Sequence, residues 1–183
     1  MAGVVNSQPA SNLENVYQLV NNSIESIIPQ IDSDNIYFEF NSPSDYSILK
    51  NRAVIQLSNS ELEIFENKAE SDLKLTYTID NVKVNYNNTF RDGLFGVYLV
   101  ERQIDLTGSY ILSNKKIKDT KTFDYSIKDS LMYDEVKNLE SSSLPFTQGK
   151  LPPEPFWKGI LEPVIAVGTA AVTVFLFFSV RSK

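Results

Sequence analysis

Near its end the chain reads GILEPVIAVGTAAVTVFLFFSV from Gly159 to Val180, and this run limits what the rest can be. From Val164 to Val180 there are 17 residues without a charge. At ~1.5 Å rise per residue they make about 26 Å of helix, just short of a ~30 Å hydrocarbon core. Ile160 and Leu161 extend the run to 21 residues, about 32 Å of helix, with Glu162 near one interface. Pro163 suits a first helical turn, where its missing N–H costs nothing. A run this apolar beside an otherwise polar chain predicts one membrane-spanning helix rather than a buried core helix. The residues expected to anchor it are Trp157, Ile160, Leu161 and Val164 at the entry. Phe175, Leu176, Phe177 and Phe178 lie in the apolar second half, and Arg181 and Lys183 form a basic end. Ala166/Ala170 and Thr169/Thr173 are small-x-x-x-small pairs, which predict weak self-association of the helix.

Charge narrows the partners. The formal net charge is −6, and setting aside Arg181, Lys183 and Glu162 leaves residues 1–158 one unit more negative. An acidic domain lacks the basic face that a phosphate backbone needs, so nucleic acid is not expected as a partner. It does not favour docking on an anionic bilayer surface either. There is no Cys and no His. Disulfides, thiolate metal sites, thiol catalysis and the commonest general base are therefore excluded within this chain.

Ahead of the apolar run, periodicity predicts one domain over residues 11–140. Residues 1–10 form a flexible start, in which Val5 and Ser7 suit the −3 and −1 positions of a signal-peptide cleavage site. Ser11-Asn-Leu-Glu14 reads as a capping box. It opens an amphipathic helix to Ile28, with Leu13, Val16, Tyr17, Val20, Ile24, Ile27 and Ile28 on one face and Pro29 as the stop. Asn35–Phe40 alternates as a strand. A second helix runs from Pro43 to about Leu57, with Tyr46, Leu49, Ala53 and Leu57 on one side, although 53–57 also suits a strand. Glu61–Glu66 alternates as a short strand. Leu73–Ile79 and Val82–Tyr86 alternate out of phase, which predicts either a tight turn at Asp80-Asn81 or a bulge in one long strand. After the turn at Arg91-Asp-Gly93, one even phase holds from Tyr98 to Leu112. Phe123, Tyr125 and Ile127 make a last strand, and Asp129 is placed to cap a helix to about Glu140. Residues 141–158 hold four prolines and read as a juxtamembrane spacer. The fold class expected is α+β: an antiparallel sheet of about five strands with helices on one face, plus the C-terminal transmembrane helix.

Few residues invite chemistry. No phosphate-binding glycine loop and no Gly-x-Ser-x-Gly elbow is present. Asp32-Ser-Asp34-Asn35 lacks the Gly and the terminal Glu of a calcium loop and reads as a solvated turn. Arg102 falls on the apolar phase between Val100 and Ile104, so it needs a partner or an exit to the sheet edge; a structural ion pair is the expectation and a functional one the alternative. No catalytic, cofactor or metal residue is predicted.

Anchor, acidity and bare catalytic inventory together predict a single-pass, non-catalytic interaction or assembly module of the cell envelope, with the lipid bilayer and a protein as partners. Within about twenty residues of the run, Lys150 and Lys158 balance Arg181 and Lys183, so the positive-inside rule ties. The density of charge at the C-terminal end tilts the domain to the extracytoplasmic side, in a bacterium the periplasm. The alternatives are a cytosolic tail-anchored adaptor and, behind it, an enzyme built on Asp, Glu, Ser or Lys.

Overall fold

Ser11 opens the first helix by a reciprocal cap. Its hydroxyl accepts from the Glu14 N–H at 3.2 Å, and its own N–H donates to Glu14 Oε2 at 2.7 Å. That backbone hydrogen bond, then the Ser11 hydroxyl, holds the Glu14 carboxyl below the usual range. The helix, α1, runs Asn12–Ile27 and gives way to a 3-10 turn at Ile28–Gln30, where Pro29 cannot continue the ladder. Val16, Leu19, Val20, Ile24 and Ile27 are buried, and Leu13, Tyr17 and Ile28 flank them half-buried. The buried stripe is thus turned away from Tyr17 towards Leu19, and it carries Asn12, Asn15 and Ser23 inside with it.

The structure, a computed structural model, describes residues 8–65, 67, 71–93, 96–114, 118–153 and 161–181, the last stretch without side chains at 161–163, 166, 180 and 181. The suggested cleavage-site residues Val5 and Ser7 lie outside the described residues. The chain divides into two units, one up to Leu151 and one from Pro152.

Five strands make one sheet in the first unit: β1 Asn35–Phe40, β2 Glu63–Phe65, β3 Lys74–Arg91, β4 Tyr98–Ser113 and β5 Lys118–Met132, in the order β2-β1-β3-β4-β5. The expectation of a purely antiparallel sheet is corrected. β1 runs parallel to both β2 and β3, and only β3-β4-β5 is an antiparallel meander. The reason is the second helix, α2 Ser47–Ser58, between β1 and β2. A helical crossover carries the chain back to the start of β1, so that the next strand runs the same way.

The break in alternation at Asp80-Asn81 is a bulge, not a turn. β3 continues through it, and its register against β4 shifts between Ile79 and Asn81. Leu75, Tyr77 and Ile79 before the bulge, and Val82, Val84 and Tyr86 after it, all face the core. One inserted residue changes which parity points inward. On β4 the even residues from Val100 to Leu112 are buried, and the odd ones from Glu101 to Ser109 lie on the open face. Gly108 sits opposite the bulge, where a Cβ would collide with the Thr78 carbonyl and the Phe123 ring. Its absence lets Phe123 lie across β4 and stack on Tyr77 at 5.2 Å.

α1 packs on β4, β5 and α2, and Leu49, Ala53 and Leu57 of α2 join the same core. The Tyr77 hydroxyl meets Ser23 Oγ of α1 at 2.6 Å, fixing where the helix sits along the sheet. Burial pushes that hydroxyl's pKa up, against the Ser23 hydrogen bond.

The helix expected from Asp129 does not begin there. β5 continues to Met132, and only a 3-10 turn at Tyr133–Glu135 and a short helix, α3 Val136–Leu139, come after it. Asp129 is bound from the neighbouring strand instead, so its side chain is not free to cap. Beyond α3, the turn Pro145–Thr147 is tucked against the domain with Phe146 and Thr147 buried. The second unit contributes α4, Leu161–Arg181.

Candidate functional site

Arg102 is the largest fully buried side chain, at 1% exposure. β4 aims it into the core because it shares the parity of Val100 and Ile104. Its partner is Asp129, directly across the β4–β5 ladder. Nε donates to Oδ1 at 2.8 Å and Nη2 to Oδ2 at 2.5 Å, a fork-to-fork pair. Nη1 donates to the Ala10 carbonyl at 2.9 Å and to Asn12 Oδ1 at 2.7 Å. Four of the five guanidinium N–H groups are therefore spent on the domain itself.

The network continues outward from Asn12. Its Nδ2 donates to the Tyr86 hydroxyl and to the Thr147 carbonyl, each at 2.7 Å. Burial pushes the Tyr86 pKa up; the Asn12 hydrogen bond lowers it, and the Glu140 carboxylate nearby raises it further, so this hydroxyl stays neutral. Glu140 in turn accepts from the Gly149 N–H at 2.8 Å. One buried cation thus joins the residues entering α1, strands β3, β4 and β5, and the turn at Pro145–Thr147. Four of the five guanidinium N–H groups and the Asp129 carboxylate are thus paired within the domain. The phase of Arg102 called for a partner, and Asp129 is that partner.

Asn12 and Asp129 were not foreseen as its partners. A signal for Asp129 existed: it shares the odd parity of Phe123, Tyr125 and Ile127, so a carboxylate stood in phase with apolar residues on the strand next to a buried Arg. Asn12 carried no such signal, because its role depends on how α1 crosses the sheet. A pocket of about 320 Å³ opens beside the pair, where Glu101, Gln103, Lys128 and Ser130 mix charges of both signs without converging on a point. Among the described residues, no group of three or more acidic side chains is placed to hold a metal ion.

The residues expected to form an anchor fall mostly on α4. Trp157, Ile160 and Lys183 lie outside the described residues. Leu161 opens α4 and Arg181 closes it, and the side chains of both lie outside the described ones. Val164, Phe175, Leu176, Phe177 and Phe178 are described, and all are more than half exposed. With Ile165, Val167, Val172 and Val174 they make nine large apolar side chains between 45% and 70% exposed. They point in every direction around the helix, since 174 to 178 alone cover more than a full turn. Thr169 and Thr173 turn their hydroxyls back to the carbonyls of Ile165 and Thr169, at 2.9 and 2.8 Å. Among the described residues no helix is long and apolar enough to cross a membrane. α4 is 21 residues long, and its described side chains fall in two runs, 164–165 and 167–179.

No family model matches the chain, and no curated protein sequence does. Solved structures that are similar to it include two lipoproteins. One is a minor lipoprotein from Acinetobacter baumannii, 14% identical, with a TM-score of 0.39 over 62% of this chain and 79% of that one. The other is the rare lipoprotein B from Shewanella oneidensis, also 14% identical, with a TM-score of 0.35 over 55% of this chain and 70% of that one.

Proposed function

We propose that the chain is a membrane-tethered, non-catalytic interaction module, with α4 crossing the bilayer once and the α+β domain on its extracytoplasmic side. The surface of α4 carries the reading. A helix that is apolar all round has no polar face to give to water, and it is stable only where its whole circumference meets apolar surroundings. Moving one large apolar side chain out of water is worth about 1.5–3 kcal/mol, and α4 presents nine of them. Two of its polar side chains, Thr169 and Thr173, satisfy their hydroxyls within the helix, as a lipid environment demands. The non-catalytic half of the reading is supported by the Arg102 network, in which four of the five guanidinium N–H groups and the Asp129 carboxylate bind the domain itself.

Alkaline carbonate extraction of membranes from cells expressing the full chain tests the tether. Retention in the pellet is expected, and release into the supernatant would overturn it. Protease added to intact spheroplasts then reports the side. Digestion of the domain is expected, and protection would put the domain in the cytosol as a tail-anchored adaptor.

A further inference from the structure

The two edges of the sheet are treated differently. β2 closes one side with three residues, the short edge that limits unwanted pairing. β5 closes the other with fifteen, and among the described residues it pairs only with β4. A strand in that position presents a row of backbone donors and acceptors on its free side.

We infer that this edge is an interaction surface whose partner is a second copy of the same chain, joined by antiparallel β5–β5 pairing about a two-fold axis at Ser126. Side-chain chemistry selects the partner and the register. Asp124, Ser126 and Lys128 point to the open face and are exposed, while Tyr125 and Ile127 point to the core face and are half-buried. With the axis at Ser126, Asp124 meets Lys128 of the partner subunit, and Lys128 meets the partner's Asp124. On the other face Tyr125 and Ile127 each meet the partner subunit's Ile127 and Tyr125, an aromatic to β-branched pair repeated by symmetry. Thr122 meets the partner's Ser130. Neighbouring registers lose this. An axis at Tyr125 places Lys128 on Thr122 and Asp124 on Ser126. An axis at Ile127 places Tyr125 on the carboxylate Asp129, and an axis at Asp124 sets that carboxylate against itself.

The remaining charges of the strand do not oppose the pairing. Asp129 is already held by Arg102. Lys121 is drawn to Gln30 at 2.6 Å and to Asp119 at 3.4 Å. Lys118 and Asp119 overhang the end of the paired segment, because Thr120 already meets Met132, the last residue of the strand. A self-complementary patch with residue i facing j, and j facing i, is what a two-fold interface requires. The contact lies within the first unit, so it does not depend on α4 crossing a membrane.

The chain has no cysteine, which makes single-site crosslinking clean. The full chain in detergent, carrying S126C, T122C or S130C, is treated with a mild oxidant at matched concentrations. S126C is expected to form disulfide dimers at least tenfold faster than the other two, because only the residue on the axis meets itself. Adding D124K to S126C is expected to slow the reaction at least tenfold, and adding D124K with K128D to restore it. The restored swap also shows that loss in the single variant is not misfolding. Equal rates at all three sites, no dimer at any, or a rate unchanged by D124K would overturn the proposal. The last result would assign any dimer to another part of the chain, α4 included.

Discussion

Helix α1 leaves Val16, Val20, Ile24 and Ile27 no exposed surface, while α4 leaves Phe175 and Val167 70% exposed. Both are long and both carry many apolar residues, but α1 spaces them at helical intervals between polar ones and α4 runs them together. Spacing decides the environment. An apolar stripe finds enough partners on one sheet face, and the polar residues between keep the other side in water. A helix apolar on every side is stable only where its whole girth meets apolar surroundings. Under the proposed function, the bilayer supplies that surrounding.

If the contrast is real, α1 must fail when its stripe is charged. Ile24→Asp forfeits about 1.5–3 kcal/mol of apolar burial and leaves a carboxylate inside, at several kcal/mol more. That is on the order of the whole stability of a domain. The expected outcome is loss of the cooperative thermal transition by circular dichroism; an unchanged transition would make α1 peripheral.

The Arg102 pair tests how the entry to α1 is held, and it should break asymmetrically. Asp129→Ala strands a buried guanidinium and is expected to cost about 3–5 kcal/mol. Arg102→Met frees a carboxylate whose side chain is already 36% exposed and can rehydrate. Its expected cost is smaller, about 1–3 kcal/mol, set by the buried Asn12 Oδ1 left without a donor, for about the same volume retained in the core. Urea titration of the two variants reads the difference directly. Equal losses would mean that packing, not the unpaired charge, sets the cost.

Much of this was legible in the residues. Ser11 and Glu14 announced the start of α1, and the even phase from Tyr98 to Leu112 announced β4. Arg102 in that phase announced a buried pair. The features that could not be read were set by neighbours distant in sequence. The parallel pairing of β1 depends on which side of it β2 and β3 settle, although a helix between two strands is itself a hint of a crossover. Asp129 has the composition of a helix cap and becomes a ladder residue because Arg102 stands opposite it. Asn12 looked like an ordinary first-turn residue, and only the approach of Tyr86 and Thr147 makes it a hub. Leu19 lies at the edge of the stripe drawn from periodicity, and the angle at which α1 crosses the sheet brings it inside.

The most direct test is a cysteine scan of α4. Single cysteines are placed at each position from Val164 to Phe178 in the cysteine-free full chain, and intact membranes are treated with a water-soluble maleimide. With α4 across the bilayer, every position in the middle of the scan stays unlabelled whichever way it points, while Ser58→Cys, exposed at the end of α2, reacts. Reactivity rising and falling with a period of about 3.6 residues would show one face against protein and the other in water, and α4 would then be a second amphipathic helix like α1.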